Sequence, residues 1–276
     1  MSKRIRERYK SEVDIVTAVY GSLDFVKDTA QTLLKDHDAG INFRWILVDD
    51  DTPIERGSKE LIKYLKELES SDERVTFIQN KVNKGFSGAN NIGFSKCTAD
   101  YVVMLNSDIK IKQDGWLREL IKPMKDNSTI GVVGAKLLFF EDSKDRNRPA
   151  GMVQHAGVVF NVLKQPYHIF MGWSPDHTKV NESRVMRAVT GACLATRRNI
   201  LRGMGGLAEI YTKGNFEDVE YCIRTSTRGF AVLYNPLVEL YHYGSGSNNT
   251  ETAVRNQQIF QIRNSGSVSW DDYRFY

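Results

Sequence analysis

The chain has 276 residues, with 38 Lys and Arg against 34 Asp and Glu for a formal charge of +4, and 41% of it is hydrophobic. This is the composition of an ordinary globular chain able to bury its own core, and it excludes long disorder, collagen and coiled coils. No apolar run approaches the roughly 18 residues that span a bilayer, and Cys97, Cys193 and Cys222 fit no disulfide or zinc spacing, so a cytoplasmic setting is expected.

The first ten residues carry Lys3, Arg4, Arg6, Arg8 and Lys10 against Glu7 alone. Such a block is a solvated tail or an arm for anionic lipid or nucleic acid, and residues 1–12 are set apart on that basis. Val13 to Tyr20 reads as a strand, after which Val26, Ala30, Leu33 and Leu34 recur with helical spacing. Phe43 to Val48 is a second, buried strand, followed by Leu61, Ile62, Leu65 and Leu68 on one helix face. Val75 to Ile78 and Tyr101 to Leu105 are the third and fourth strands, with a Gly/Asn-rich segment and a short helix between them. Asp114 is the expected N-cap of a helix carrying Trp116, Leu117, Leu120, Ile121 and Met124. This alternation predicts an α/β fold, a doubly wound and mostly parallel sheet with residues 13–127 as its nucleotide-binding half.

Residues 128–247 read as a smaller, irregular α+β half. Ile130 to Phe139 and Met152 to Val162 are strands, and 163–182 is a long loop punctuated by Pro166, Gly172 and Pro175. Loops of that length are usually functional, and this one is expected to act as a lid. A helix starts near Phe216 and a strand returns from Ala231 to Tyr241. Residues 248–276 form a polar tail ending in Trp270, Tyr273, Phe275 and Tyr276, which either docks onto its own domain or serves a homo-oligomer.

Ligands of open α/β sheets bind beyond the carboxyl ends of the strands, so the residues there carry the chemistry. The second strand ends in Asp49, Asp50 and Asp51, which serve as turn formers or as acceptors for a ribose hydroxyl or a pyrimidine N–H. The fourth ends in Asn106-Ser107-Asp108, an Asx-turn or a hard-cation site. Between them, Asn83-Lys84-Gly85-Phe86 through Gly93 is rich in small residues that let backbone approach a phosphate, yet it is neither GxGxxG nor a Walker A loop. Glu217 and Asp218 open a helix, as dipole partners or with one acting as a general base. His242 closes the last strong strand, and it and His155 are each either structural or ligands.

The order of these elements resembles family 2 glycosyltransferases of the GT-A fold, particularly their rhamnosyltransferase-like branch, over about Val13 to Ser247. Val48-Asp49-Asp50 is similar to the family's VDD element, and the resemblance implies that Asp49 and Asp50 hold the nucleoside with Thr17 and Tyr20. Asn83 to Gly93 matches the branch's NxGFxxxxNxG run, placing Asn83, Gly85, Phe86, Asn90 and Asn91 on the donor. Asn106-Ser107-Asp108 stands where the family has DxD, with Asp108 as the implied metal ligand, Asn106 beside it and His242 completing the site for Mn²⁺ or Mg²⁺. Glu217-Asp218 resembles the ED motif, with Asp218 as the base. His155, Gly191, Ala192 and Arg224 fall in stretches similar to the same branch and are expected on the acceptor and donor-sugar side.

The resemblance implies an inverting transfer from a dTDP- or UDP-sugar to a hydroxyl of a glycan, lipid-linked or other acceptor, in the cytoplasm or at the inner membrane face. Two alternatives stay open: a nucleotide- or glycan-binding scaffold without catalysis, and a transferase that modifies nucleic acid or protein.

Overall fold

The computed structural model describes residues 11–35, 41–145, 147–244 and 250–271. The basic arm, its expected contact with anionic lipid or nucleic acid, and the last aromatic residues lie outside them. Among the described residues no helix is long and apolar enough to cross a membrane.

β1 (Val13–Val19), β2 (Phe43–Asp49), β3 (Val75–Gln79) and β4 (Tyr101–Leu105) pair in parallel, in the spatial order β4-β1-β2-β3. Between and after them come α1 (Leu23–Leu33), α2 (Ser58–Ser71), α3 (Gly85–Ser95), β5 (Ile109–Ile111) and α4 (Trp116–Asp126). Side chains alternate across β1: Ile15 and Val19 pack with α1, α2 and α4, whereas Val16 packs with α3 on the other face. That period-2 alternation under a helix on each face is what a doubly wound sheet requires.

The second half continues the same sheet but changes its direction. β6 (Ile130–Phe139) and β11 (Cys193–Arg197) follow β4, with β11 antiparallel to both neighbours. Beyond β6 lies β12 (Ala231–His242), parallel to β6 and antiparallel to β5. The short strands β7 (Val153–His155) and β10 (Arg184–Val185) pair with β6 and β12, and α5 (Arg198–Gly203) and α6 (Glu217–Thr227) complete the layer. The whole is an α/β fold of GT-A type.

Several local expectations are corrected. Asp114 is not the N-cap of α4; Gly115 holds that position in the left-handed region (φ 72°), which favours glycine. The expected strand from Met152 to Val162 is broken at Gly157 (φ 112°), where a Cβ would come within 2.5 Å of the Met186 side chain. The chain therefore turns between β7 and β8 (Val158–Phe160), and β9 (Pro166–His168) pairs back onto β8, giving structure to a segment read as loop. Within the polar tail, for which docking onto its own domain is one alternative, α7 (Thr250–Asn264) packs on the body through Asn256, Phe260 and Asn264. Those positions recur at helical spacing, but two of the three are asparagines, so no apolar period announced the helix.

Candidate functional site

The carboxyl ends of β2 and β4 separate the acids that sequence grouped together. Asp49 is fully buried, accepts from the Thr52 hydroxyl at 2.5 Å through Oδ1, and has no hydrogen-bond partner for Oδ2. Burial pushes its carboxyl above the usual range; hydrogen bonds from Thr52 oppose this, and the charges of Asp50 and Asp51 add to it. Asp50 is engaged by the loop ahead of α3, accepting from the Lys84 amide at 2.9 Å and from Asn80 Nδ2 at 2.8 Å. Asn83 donates to the Asp50 carbonyl and accepts from the Gly85 amide, so this loop is clamped onto the end of β2. Tyr20 stands exposed after β1 with the Arg56 guanidinium over its ring.

Along α3, Phe86 lines a cavity shared with Asn106 and Asp218, and Asn90 is buried with Oδ1 unpartnered. Asn91 is committed elsewhere. Its amide donates to the Leu207 carbonyl and to Glu209, and its Oδ1 accepts from the Leu207 amide. It clasps the Gly205-Gly206 turn, so its side chain is engaged within the protein rather than turned to the cavity.

Antiparallel pairing of β5 with β12 sets Ile109 opposite His242, which brings the residue before Ile109, Asp108, to the imidazole. His242 Nε2 lies 3.1 Å from Asp108 Oδ1 and 3.3 Å from Asn106 Nδ2. The Thr29 hydroxyl of α1 bonds the Ser107 and Ile109 carbonyls, fixing the turn that carries Asp108. Asn106 Oδ1 is buried with no partner. The Asp108 carboxylate and the orphaned Asn106 amide oxygen on one turn, with the His242 imidazole nitrogen from the end of β12, form a donor set that suits Mn²⁺ or Mg²⁺, leaving other positions for phosphate oxygens and water. Among the described residues no cluster of three His, Cys, Asp or Glu exists to hold a metal by itself. Protein ligands alone would therefore make an incomplete shell.

Glu217 and Asp218 line a cavity of about 400 Å³ together with Asn106 and His242. Asp218 accepts from the Gly191 amide at 2.7 Å and from the Val219 amide at 2.8 Å, which fixes the carboxylate at the wall. A Cβ at Gly191 would meet the Met104 methyl at 2.5 Å and Asp218 Cβ at 3.1 Å, so a larger residue there would push on the side chain of Asp218. Ala192 lines the same wall, and its carbonyl accepts from the Asn106 amide, joining the two sides of the cavity. Glu217 is buried with Oε2 unpartnered; burial first, and then the Asp218 charge, push its carboxyl well above the usual range.

Three further candidates do not face the cavity. Thr17 is enclosed beneath the sheet and accepts from the Trp45 indole at 2.8 Å. Arg224 bonds Glu220 and the carbonyls of Met204 and Gly206, bracing the same turn as Asn91. His155 is fully buried behind the wall, where Nε2 accepts from the Thr190 amide at 3.3 Å, and burial holds its ring well below the usual imidazole range. Thr17 and Arg224 have their polar atoms engaged inside the protein, whereas His155 Nδ1 is buried with no hydrogen-bond partner.

The residues sequence reasoning missed are Tyr167, His168 and Lys213, which line the cavity from segments read as irregular. His168 comes from β9, and its Nδ1 bonds the Gln154 carbonyl at 3.0 Å. Lys213 belongs to a run of four left-handed residues, Lys213 to Phe216 (φ 60° to 88°), ahead of α6. The Asn256 side chain of α7 donates to the Thr212 and Gly214 carbonyls and holds that run.

The model of the family described as Glycosyl transferase family 2 matches residues 14–203, more than half of the chain and all of the strands that carry Asp49 and Asp108. The chain belongs to glycosyl transferase family 2. It is 29% identical over 167 residues to the O-antigen biosynthesis protein RfbC of Myxococcus xanthus, covering 59% of this chain and 12% of that protein. Among solved structures it is similar to GalNAc-T7 with UDP, GalNAc and Mn²⁺ (TM-score 0.71, 14% identity, 91% of this chain and 48% of that one). It also resembles the mannosyltransferase PcManGT of Pyrobaculum calidifontis with GDP-Man and Mn²⁺ (TM-score 0.64, 14% identity, 97% and 68%). This chain thus spans about an eighth of RfbC, and the structural likenesses concern the GT-A fold alone.

Proposed function

We propose that this family 2 member transfers a sugar from a nucleotide-diphosphate donor to an acceptor hydroxyl with inversion, using a divalent cation held by Asp108 and His242. The observation that carries the reading is one cavity lined by Asn106 and His242 together with Asp218 and Glu217. A cation held by Asp108 and His242 would neutralise charge on the departing diphosphate. Asp218, oriented by the Gly191 and Val219 amides, takes the proton of the attacking hydroxyl. Attack from the face opposite the leaving group would be one direct displacement, which inverts the anomeric centre without a covalent intermediate. Glu217, kept neutral by burial, offers a hydrogen bond rather than a charge to a sugar hydroxyl.

The unpartnered Oδ2 of Asp49 supports the reading that this carboxyl accepts from the nucleoside. A pyrimidine base, dTDP or UDP, is our reading from the motif series, and rhamnose rests on the branch likeness alone; the GDP-Man of PcManGT makes GDP the competing nucleotide. The acceptor proposed is a glycan or lipid-linked hydroxyl, reached by a protein working in the cytoplasm or peripherally at the inner membrane face.

Thermal unfolding with UDP, dTDP, GDP and CMP, each with and without Mn²⁺, tests the donor and the cation together. A ligand of the folded state at 100 times its dissociation constant adds about 2.7 kcal/mol, which is readily seen. A Mn²⁺-dependent shift with one nucleotide is expected. No shift with any nucleotide would remove the catalytic reading in favour of a scaffold.

A further inference from the structure

His242 carries a second contact that the reaction scheme does not use. Its Nδ1 lies 2.6 Å from Gln154 Oε1, and Gln154 Nε2 lies 3.2 Å from the His242 carbonyl oxygen. Gln154 sits in β7, buried, with Gly244 packed so closely that a Cβ there would come within 2.9 Å of Nε2. A backbone carbonyl can only accept, so the amide nitrogen must face it, and the amide oxygen must then face Nδ1. An amide oxygen can only accept, so Nδ1 must carry the hydrogen. That leaves Nε2 as the nitrogen directed at Asp108 Oδ1, 3.1 Å away. An unprotonated Nε2 can accept from Asn106 Nδ2, 3.3 Å away, and presents its lone pair beside the Asp108 carboxylate, where both could hold one cation.

We propose that Gln154 is a positioning residue that clasps His242 through ring and backbone, holding Nδ1 as the donor and presenting Nε2 to the cation site. The proposal rests on the reading of Asp108 and His242 as cation ligands. It adds a residue on another strand that sets which nitrogen is available and in which direction it points, the part that outer-sphere hydrogen bonds play at metal-bound histidines. The clasp also explains why a glycine follows His242 two positions on: with any side chain at Gly244, the Gln154 amide would be displaced.

Two measurements test this. In metal-free protein labelled with ¹⁵N-histidine, at a pH where the ring is neutral, His242 should show a protonated Nδ1 and an unprotonated Nε2. Its signals are assigned by their loss in His242→Gln. In Gln154→Leu the two tautomers should mix, and Mn²⁺ affinity, titrated by electron paramagnetic resonance with the metal alone, should fall about 10- to 100-fold. Gln154→Glu keeps an acceptor for Nδ1 and should restore the tautomer and most of the affinity, which a loss through misfolding would not allow. A wild-type ring protonated on Nε2, or a Gln154→Leu protein with unchanged tautomer and Mn²⁺ affinity, overturns the proposal. If wild type binds no Mn²⁺ while the tautomer still depends on Gln154, the cation reading falls and the positioning role stands.

Discussion

The Gly191 amide donates to Asp218 Oδ2 at 2.7 Å, tying the turn before β11 to the first turn of α6. Because Ala192 in the same turn accepts from the Asn106 amide, the base side and the cation side of the cavity share one rigid connection. Placement of a base relative to a leaving group is worth several orders of magnitude in rate, so this short link has a direct bearing on activity.

Asp218→Asn removes the proton acceptor while the amide oxygen can still take one of the two backbone hydrogen bonds. Transfer should drop by about 10²- to 10⁴-fold with nucleotide binding nearly unchanged. Steady-state kinetics alongside calorimetric titration of the nucleotide checks this; full activity in the variant would remove Asp218 as the base.

Glu217→Gln separates the two neighbouring acids. The folded state raises the Glu217 pKa well above 4.5, chiefly through burial, so between those values the folded protein holds a proton that the unfolded chain has lost. Its contribution to stability is therefore fully present below about pH 4.5 and is lost as pH rises toward the folded value. The glutamine variant has no proton to lose, so its melting temperature should gain on wild type as pH rises from 4.5. It should also retain much of the transfer activity. An equal pH profile for the two proteins would show that Glu217 is ionised in the fold.

Arg224→Ala should act on stability rather than on the sugar. It loses the carbonyls of Met204 and Gly206 and leaves Glu220 with only the longer contact to Arg263 at 3.5 Å. A loss of about 2 kcal/mol is expected in denaturant unfolding, with the donor KM little changed. A large rise in KM at unchanged stability would return Arg224 to the site.

Asn256→Ala removes both hydrogen bonds that hold the left-handed run ahead of α6. Losing buried donors to two carbonyls should cost about 1–3 kcal/mol. Hydrogen exchange should quicken at residues 212–216 before it does in the central strands, and kcat should fall because Asp218 stands just beyond that run. Unaltered exchange there would mean the run is held by its own backbone.

The strand–helix rhythm of residues 13–127 and the family resemblance, which together also raised Asp108, Asp218 and His242 as candidates, were legible in the sequence, because period and motif order are local properties. Which polar groups are free was not. Asp49 and Asp50 are neighbours of the same type, yet one has an unpartnered oxygen and the other is engaged by Asn80 and Lys84, more than twenty-five positions further along the chain. Asn90 and Asn91 divide similarly, one buried with a free oxygen and the other spent on Leu207. A hydrogen-bond partner far away in sequence leaves no mark on local pattern. For the same reason the sequence names Gln154, Asn256 and His168 without saying that β7 clasps His242, that α7 holds the run before α6, or that β9 turns His168 into the cavity; only the packing of those elements on the sheet decides it.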